Sequence, residues 1–229
     1  MQDVSALENA IGITFTNSQL LQQALVHRSY LNENPSFELP HNERLEFLGD
    51  AVLELAVTEY LYQHYPNPEG ELTNWRASLV NAATLAAVSQ EAGLEGYLYL
   101  SKGESRDSNS KARNYILANA MEALIGAIYL DRGYEAAAGF IKQWIIAKLA
   151  HILEHKLYRD PKTAFQEAAQ ERLSLTPTYH VVSESGPDHN KHFTVAVRLG
   201  DAEVAQGVGT SKQEAETAAA AAALEAKSW

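Results

Sequence analysis

Apolar residues three and four apart recur from residue 5 to about residue 157, with almost no strict alternation, so this stretch predicts a wholly helical region. Breaks at Asn34 and Pro35, across 66–71, across 93–96 and at Gly133 divide it into at least five helices. After Tyr158 the pattern changes. Asp160 followed by Pro161 predicts a capped helix start, with the helix running to about Leu173. Three alternating segments then predict strands at 178–184, 192–199 and 202–208, separated by SGPDHNK and by Gly200-Asp201, and a last helix begins near Ser211. The predicted fold class is an all-α domain over 1–157, followed by a small α-β-β-β-α (α+β) domain over 158–229. The alanine run at 218–223 reads simply as a strong helix former.

Within the helical part, the stretch NERLEFLGDAVLELA at 42–56 is the most informative. At about 100° per residue, Glu43, Glu46, Asp50 and Glu54 fall within an arc of roughly 80°. Leu45, Leu48, Val52 and Leu55 lie opposite, and Phe47 and Val57 flank the acids, so the helix is expected to be buried on most sides. Carboxylates in such surroundings repel one another and lose hydration unless a cation lies between them. A solvated acidic face is the competing reading. A second segment, at 112–133, shifts the balance. There Asn119 and Glu122 stand three apart on a helix whose other positions, such as Ile116, Leu117, Met121 and Leu124, are apolar. Gly126 near the same face would let another helix approach. The acidic stripe and a divalent cation together would give these two polar groups a partner. An all-oxygen ligand set favours magnesium, or manganese in its place, over zinc, and magnesium shares its positions with substrate phosphate, which suits phosphodiester hydrolysis.

The 229 residues, 46% of them hydrophobic, are enough for a domain of this size and a smaller one. The absence of cysteine excludes disulfides and cysteine-based zinc sites. No uninterrupted apolar segment approaches the ~20 residues of a membrane span, and the start lacks a basic stretch leading into an apolar one, so the protein is read as soluble and cytoplasmic, with no membrane association. Net charge is −11, and residues 158–229 carry 7 Lys+Arg against 10 Asp+Glu. Any nucleic-acid binding therefore rests on a few placed groups and not on a basic field.

Four stretches, NERLEFLGDAVL, LVHRSY at 25–30, EGELTNWRASLVN at 69–81 and MEALIGAIYLD at 121–131, together resemble bacterial ribonuclease III, and the resemblance covers essentially the whole chain. It implies a homodimeric, metal-dependent endonuclease that cleaves double-stranded RNA to 5′-phosphate and 3′-hydroxyl ends with short 3′ overhangs, acting on ribosomal RNA precursors and other structured RNAs. It implies that Glu43, Asp50, Asn119 and Glu122 line the metal site, with Asp50 and Glu122 catalytic. Glu46 and Phe47 are tied to site shaping and the dimer contact, and Glu69 matches a glutamate at the site's edge. Asn119 departs from the aspartate commoner in the family, which implies a lower metal affinity. Two rivals are a double-stranded RNA-binding protein without the chemistry and a helical phosphohydrolase of small molecules; the retained acids oppose the first and the C-terminal domain the second.

Residues 160–227 resemble the double-stranded RNA-binding domain through KTAFQEAAQ, GPDHNKHF and GVGTSKQEAETAAA. The resemblance implies that Gln166 and Glu167 meet one minor groove, that the loop with Pro187, Asp188 and His189 enters the next, and that Lys212 meets phosphate. It departs from the family where lysines usually cluster, since Gln213 and Glu216 stand near Lys212; a protein-contact or dimer-packing module is the alternative. His27 reads as a structural hydrogen-bonding residue and Glu54 as facing solvent or a neighbouring side chain. Lys102, Arg106, Lys111 and Arg113 form either a phosphate contact or an ordinary exposed loop.

Overall fold

The computed structural model describes residues 3–106, 111–187 and 191–229. The chain forms two compact units, Met1–Tyr158 and Arg159–Trp229, each with its own apolar core.

The first unit is helical: α1 (Ser5–Ile11), α2 (Ser18–Ala24), α3 (Arg28–Glu33), α4 (Glu43–His64), α5 (Glu69–Val80), α6 (Ala82–Glu91), α7 (Lys102–Arg106), α8 (Lys111–Arg132), α9 (Tyr134–Trp144) and α10 (Leu149–Glu154). The long helices α4 and α8 pack directly on each other. Leu45, Gly49, Val52, Leu53 and Ala56 of α4 are buried, as are Met121, Leu124, Ile125 and Ile128 of α8. The two backbones touch. A Cβ on Gly49 would fall 1.8 Å from the Glu122 carbonyl oxygen, and one on Gly126 would fall 2.2 Å from that of Leu45. Glycine at both positions is what allows this approach.

The start of α4 is fixed by the LVHRSY stretch. Buried Asn42 donates from Nδ2 to the Ala24 carbonyl at 3.1 Å and from its backbone N–H to Val26 at 2.9 Å. Val26 forms a short parallel bridge with Tyr99. The far end of α8 is tied down by Asp131, which accepts from the N–H groups of Thr16 and Asn17 at 2.7 and 2.8 Å. Among the described residues, Tyr134–Glu154 has the length and apolar character of a membrane-crossing helix. It is instead broken by a 3₁₀ turn at Ile146–Lys148, and it buries Phe140, Ile141, Ile145, Leu149 and Ile152 in the core.

In the second unit α11 (Pro161–Leu173) precedes β1 (Thr178–Ser185), β2 (His192–Leu199) and β3 (Ala202–Gly209), an antiparallel sheet in the order β1-β2-β3, and α12 (Lys212–Lys227) follows. Asp160 caps α11 by accepting from Thr163 N–H at 2.9 Å, and Pro161 opens the helix. The alanine run does more than favour helix. Ala219, Ala220 and Ala223 are buried with Phe165 and Val197, and a Cβ on Gly207 would lie 2.1 Å from the backbone nitrogen of Ala219. Larger side chains would hold α12 off the sheet.

Candidate active site

The α4–α8 crossing gathers the acids. Glu46 and Asp50 lie three residues before and one after Gly49, so the backbone contact at Gly49 brings them up to Glu122 on α8. Half-buried Glu122 has its carboxyl pushed up to about 7, first by burial and then by the negative charges of Asp50, Glu46 and Glu54. Glu46 is also raised, by burial and then by Glu43 and Asp50. These groups therefore feel one another's charge. Among the described residues no basic side chain pairs with Glu46, Asp50 or Glu122. Asn119 is half-buried one turn before Glu122 on the same helix.

The outer members of the stripe have counter-ions of their own. Glu54 accepts from Arg76 Nε at 2.9 Å, and the same guanidinium donates to Thr58 Oγ1. Glu43 lies 3.4 Å from Arg28 Nη1 and 3.7 Å from His41 Nδ1, the latter too long for a hydrogen bond. Glu69 opens α5, exposed, beside an open hollow of 450 Å³ that it lines with Thr58, Tyr62 and Arg76, and it is not among the charges acting on Glu122. Sequence reasoning missed Gly49, Arg28, His41 and Arg76. Gly126 gave the only signal for the crossing, and no spacing rule pairs residues from separate helices.

The expectation that α4 is buried on most sides does not hold for this chain alone. Phe47 is 82% exposed, Leu55 57% and Tyr62 81%, and with exposed Ala51 they make an apolar ridge along the helix. Val57, by contrast, is fully buried. The reason is geometric: α8 covers one side of α4, and the acids occupy the boundary between that side and the ridge. Beside the ridge, Phe47, Leu48, Leu20, Pro40 and Leu130 line a groove of 720 Å³ that reaches Glu43.

His27 caps α3, its Nδ1 accepting from Ser29 N–H, and burial lowers its pKa, in keeping with a structural role. Arg113 is buried and paired with Glu95 at 2.9 Å, which removes it from the exposed basic cluster; Lys102, Arg106 and Lys111 are exposed. In the second unit Gln166 and Glu167 are exposed on α11, and Pro187 is exposed beyond β1. His189 and Asp188 lie outside the described residues. Lys212, the first residue of α12, is exposed and 3.4 Å from Glu184.

Residues 17–149 match a family model described as Ribonuclease-III-like, and residues 161–227 match one described as Double-stranded RNA binding motif. The chain belongs to the ribonuclease III family. A ribonuclease 3 of Pelotomaculum thermopropionicum is 47% identical over 96% of this chain and 92% of its own length. One of Protochlamydia amoebophila is 45% identical over 98% and 92%. Among solved structures, a nuclease domain of ribonuclease III from Campylobacter jejuni, described for flexibility in the region involved in its dimer formation, superposes with a TM-score of 0.56. It is 35% identical and covers 63% of this chain and 97% of its own. As a member of the ribonuclease III family carrying the double-stranded RNA-binding motif, the chain is a metal-dependent, double-strand-specific endoribonuclease.

The donor chemistry at the crossing fits a hard divalent cation. Its groups are oxygen ligands only, and the burial and mutual repulsion that raise Glu46 and Glu122 are what a cation would offset. Among the described residues no three His, Asp or Glu side chains are already assembled as a metal cluster.

Proposed function

We propose that Glu43, Asp50, Asn119 and Glu122 hold a magnesium ion, replaceable by manganese, and that Asp50 and Glu122 serve hydrolysis of one strand of a duplex RNA. The observation that carries this reading is the group Glu46, Asp50 and Glu122 at the α4–α8 crossing, which have no basic partner among the described residues, with Glu122 pushed up to about 7. Bound there, a divalent cation supplies charge that makes water more acidic and offsets charge building on the phosphate. Asp50 and Glu46 act on Glu122 through their charge, and a cation bound beside them would draw the proton off Glu122, so that its carboxylate serves as an ionised ligand. Glu43 must exchange Arg28 for the cation, and Asn119 offers an amide oxygen without charge. Glu69 sits at the edge of the site.

The exposed ridge from Phe47 to Tyr62 and the adjoining groove are the surface on which a second copy docks, with Glu46 and Phe47 at the contact. Two sites, one on each strand, then give 5′-phosphate and 3′-hydroxyl ends with short 3′ overhangs. The substrates are ribosomal RNA precursors and other structured RNAs, met in the cytoplasm. Gln166 and Glu167 read one minor groove, Pro187 and His189 the next, and Lys212 a phosphate.

A magnesium titration read by thermal unfolding tests the ligand set without relying on turnover. Magnesium raises the melting temperature of the wild type, and Asp50→Asn needs more of it. Asn119→Asp is less stable in chelator but reaches half its stabilisation at lower magnesium, since it adds charge beside the cation. Unchanged magnesium dependence in both variants contradicts the ligand assignment.

A further inference from the structure

The second unit carries 7 Lys+Arg, and of the three lysines on its helix pair, Lys162 and Lys212 are each matched by a carboxylate, while Lys227 lies over the Trp229 ring. Lys162, in the first turn of α11, places Nζ 2.5 Å from Glu216 Oε2 on α12 and 5.0 Å from the centre of the Tyr179 ring. Lys212, at the opening of α12, places Nζ 3.4 Å from Glu184 Oε1 at the end of β1 and 5.7 Å from the Phe193 ring. Glu216 lies one turn beyond Lys212 on the same helix, so Lys162, Glu216, Lys212 and Glu184 form a string of alternating charge across α11, α12 and β1. None of the four is deeply buried: the side chains of Lys212 and Glu184 are 58% and 45% exposed.

We propose that Glu184 and Glu216 stand in for RNA phosphates on Lys212 and Lys162, so that duplex binding by this unit proceeds by exchange of carboxylate for phosphate. This rests on the reading above that the unit binds duplex RNA through Lys212. A carboxylate and a phosphate offer an ammonium the same thing, anionic oxygens at hydrogen-bond range. A lysine that meets phosphate only after leaving a glutamate gains the difference between the two contacts, and the freed glutamate recovers a cation from solution. Fewer ions are released overall, which weakens both affinity and its dependence on salt. The exposed geometry keeps the exchange cheap, because solvent-exposed ion pairs are worth about 0.2–1 kcal/mol. The two glutamates thereby favour a long, regular duplex, which offers several phosphates together, over scattered anionic contacts.

The test uses the full chain in chelator, so that no RNA is cut, with an RNA duplex of about 30 base pairs, beyond the ~16 one such domain spans. Affinity is measured across a salt series for wild type, Glu184→Gln, Glu216→Gln, Lys212→Ala and the double variant Lys212→Ala/Glu184→Gln. Glu203→Gln is the control for simple loss of negative charge, since Glu203 accepts from Gln206 and pairs with no lysine among the described residues. Thermal unfolding of each variant establishes that it is folded. Glu184→Gln is expected to tighten binding about two- to five-fold and to steepen the salt slope by up to about one. Glu216→Gln should act in the same direction, and the Glu184→Gln gain should vanish in the Lys212→Ala background. A Glu184→Gln gain no larger than that of Glu203→Gln, or one that persists without Lys212, overturns the exchange while leaving duplex binding by the unit intact. Failure of every protein to bind duplex overturns both this inference and the RNA-binding reading beneath it.

Discussion

Glu122 concentrates the chemistry of the site in one side chain. Its proton is held more tightly in the folded protein, where the pKa is about 7, than in the unfolded chain, where a glutamate titrates near 4.5. Between these values Glu122 binds its proton more in the folded state than in the unfolded one, so the stability this group contributes to the metal-free protein is fully present below about pH 4.5 and is lost as pH rises through 7. The loss attributable to this group is on the order of 1–2 kcal/mol once partial exposure is allowed for. Glu122→Gln removes the titration. In chelator at pH 8 it should therefore melt higher than wild type, and the difference should shrink towards pH 5. Equal melting temperatures across that range would show that the repulsion at the crossing is already relieved by solvent.

At the scale of elements, the α4–α8 crossing makes the site, and two glycines make the crossing. Gly126→Val would drive its Cβ into the Leu45 carbonyl region, where no flexible side chain can give way. The helices must separate, at a cost of about 3 kcal/mol or more. Chemical denaturation should show that loss, and Glu122 should drop back towards an ordinary glutamate as it parts from Asp50. A Gly126→Val protein as stable as wild type would contradict the close approach. Much of the element pattern was legible in the sequence, for local reasons. Alternation and turn residues placed β2 at 192–199 and the other two strands within a residue of their observed ends, and Asp160-Pro161 placed the start of α11. The acids of the stripe were legible too, since helical periodicity is enough to align them. Which acids lack a cation was not: Arg76 reaches Glu54 from α5 and Arg28 reaches Glu43 from α3, and such pairings depend on tertiary packing. Nor did composition reveal that the backbone of α12 comes so close to β3 that only glycine fits at 207.

At the scale of the whole molecule, the apolar ridge on α4, with Phe47, Leu55 and Tyr62 exposed in the single chain, is the surface that the proposed second copy would cover. Phe47→Asp should leave the fold unchanged, as the side chain is exposed in the single chain, yet convert a dimer into a monomer at micromolar concentration by light scattering. A Phe47→Asp protein that remains dimeric would place the contact elsewhere. The central claim, that carboxylates at one helix crossing hold a cation for cutting duplex RNA, is tested most directly by incubating a long RNA duplex with wild type and Glu122→Gln across a magnesium series, with duplex binding measured in parallel. Wild type should cut the duplex only with magnesium or manganese present. Glu122→Gln should bind as tightly but cut at least about ten-fold more slowly, since loss of a charged ligand costs no less than loss of an outer-shell partner of a metal site. Equal cleavage by the two proteins, or cleavage by wild type that persists in chelator, would contradict the account.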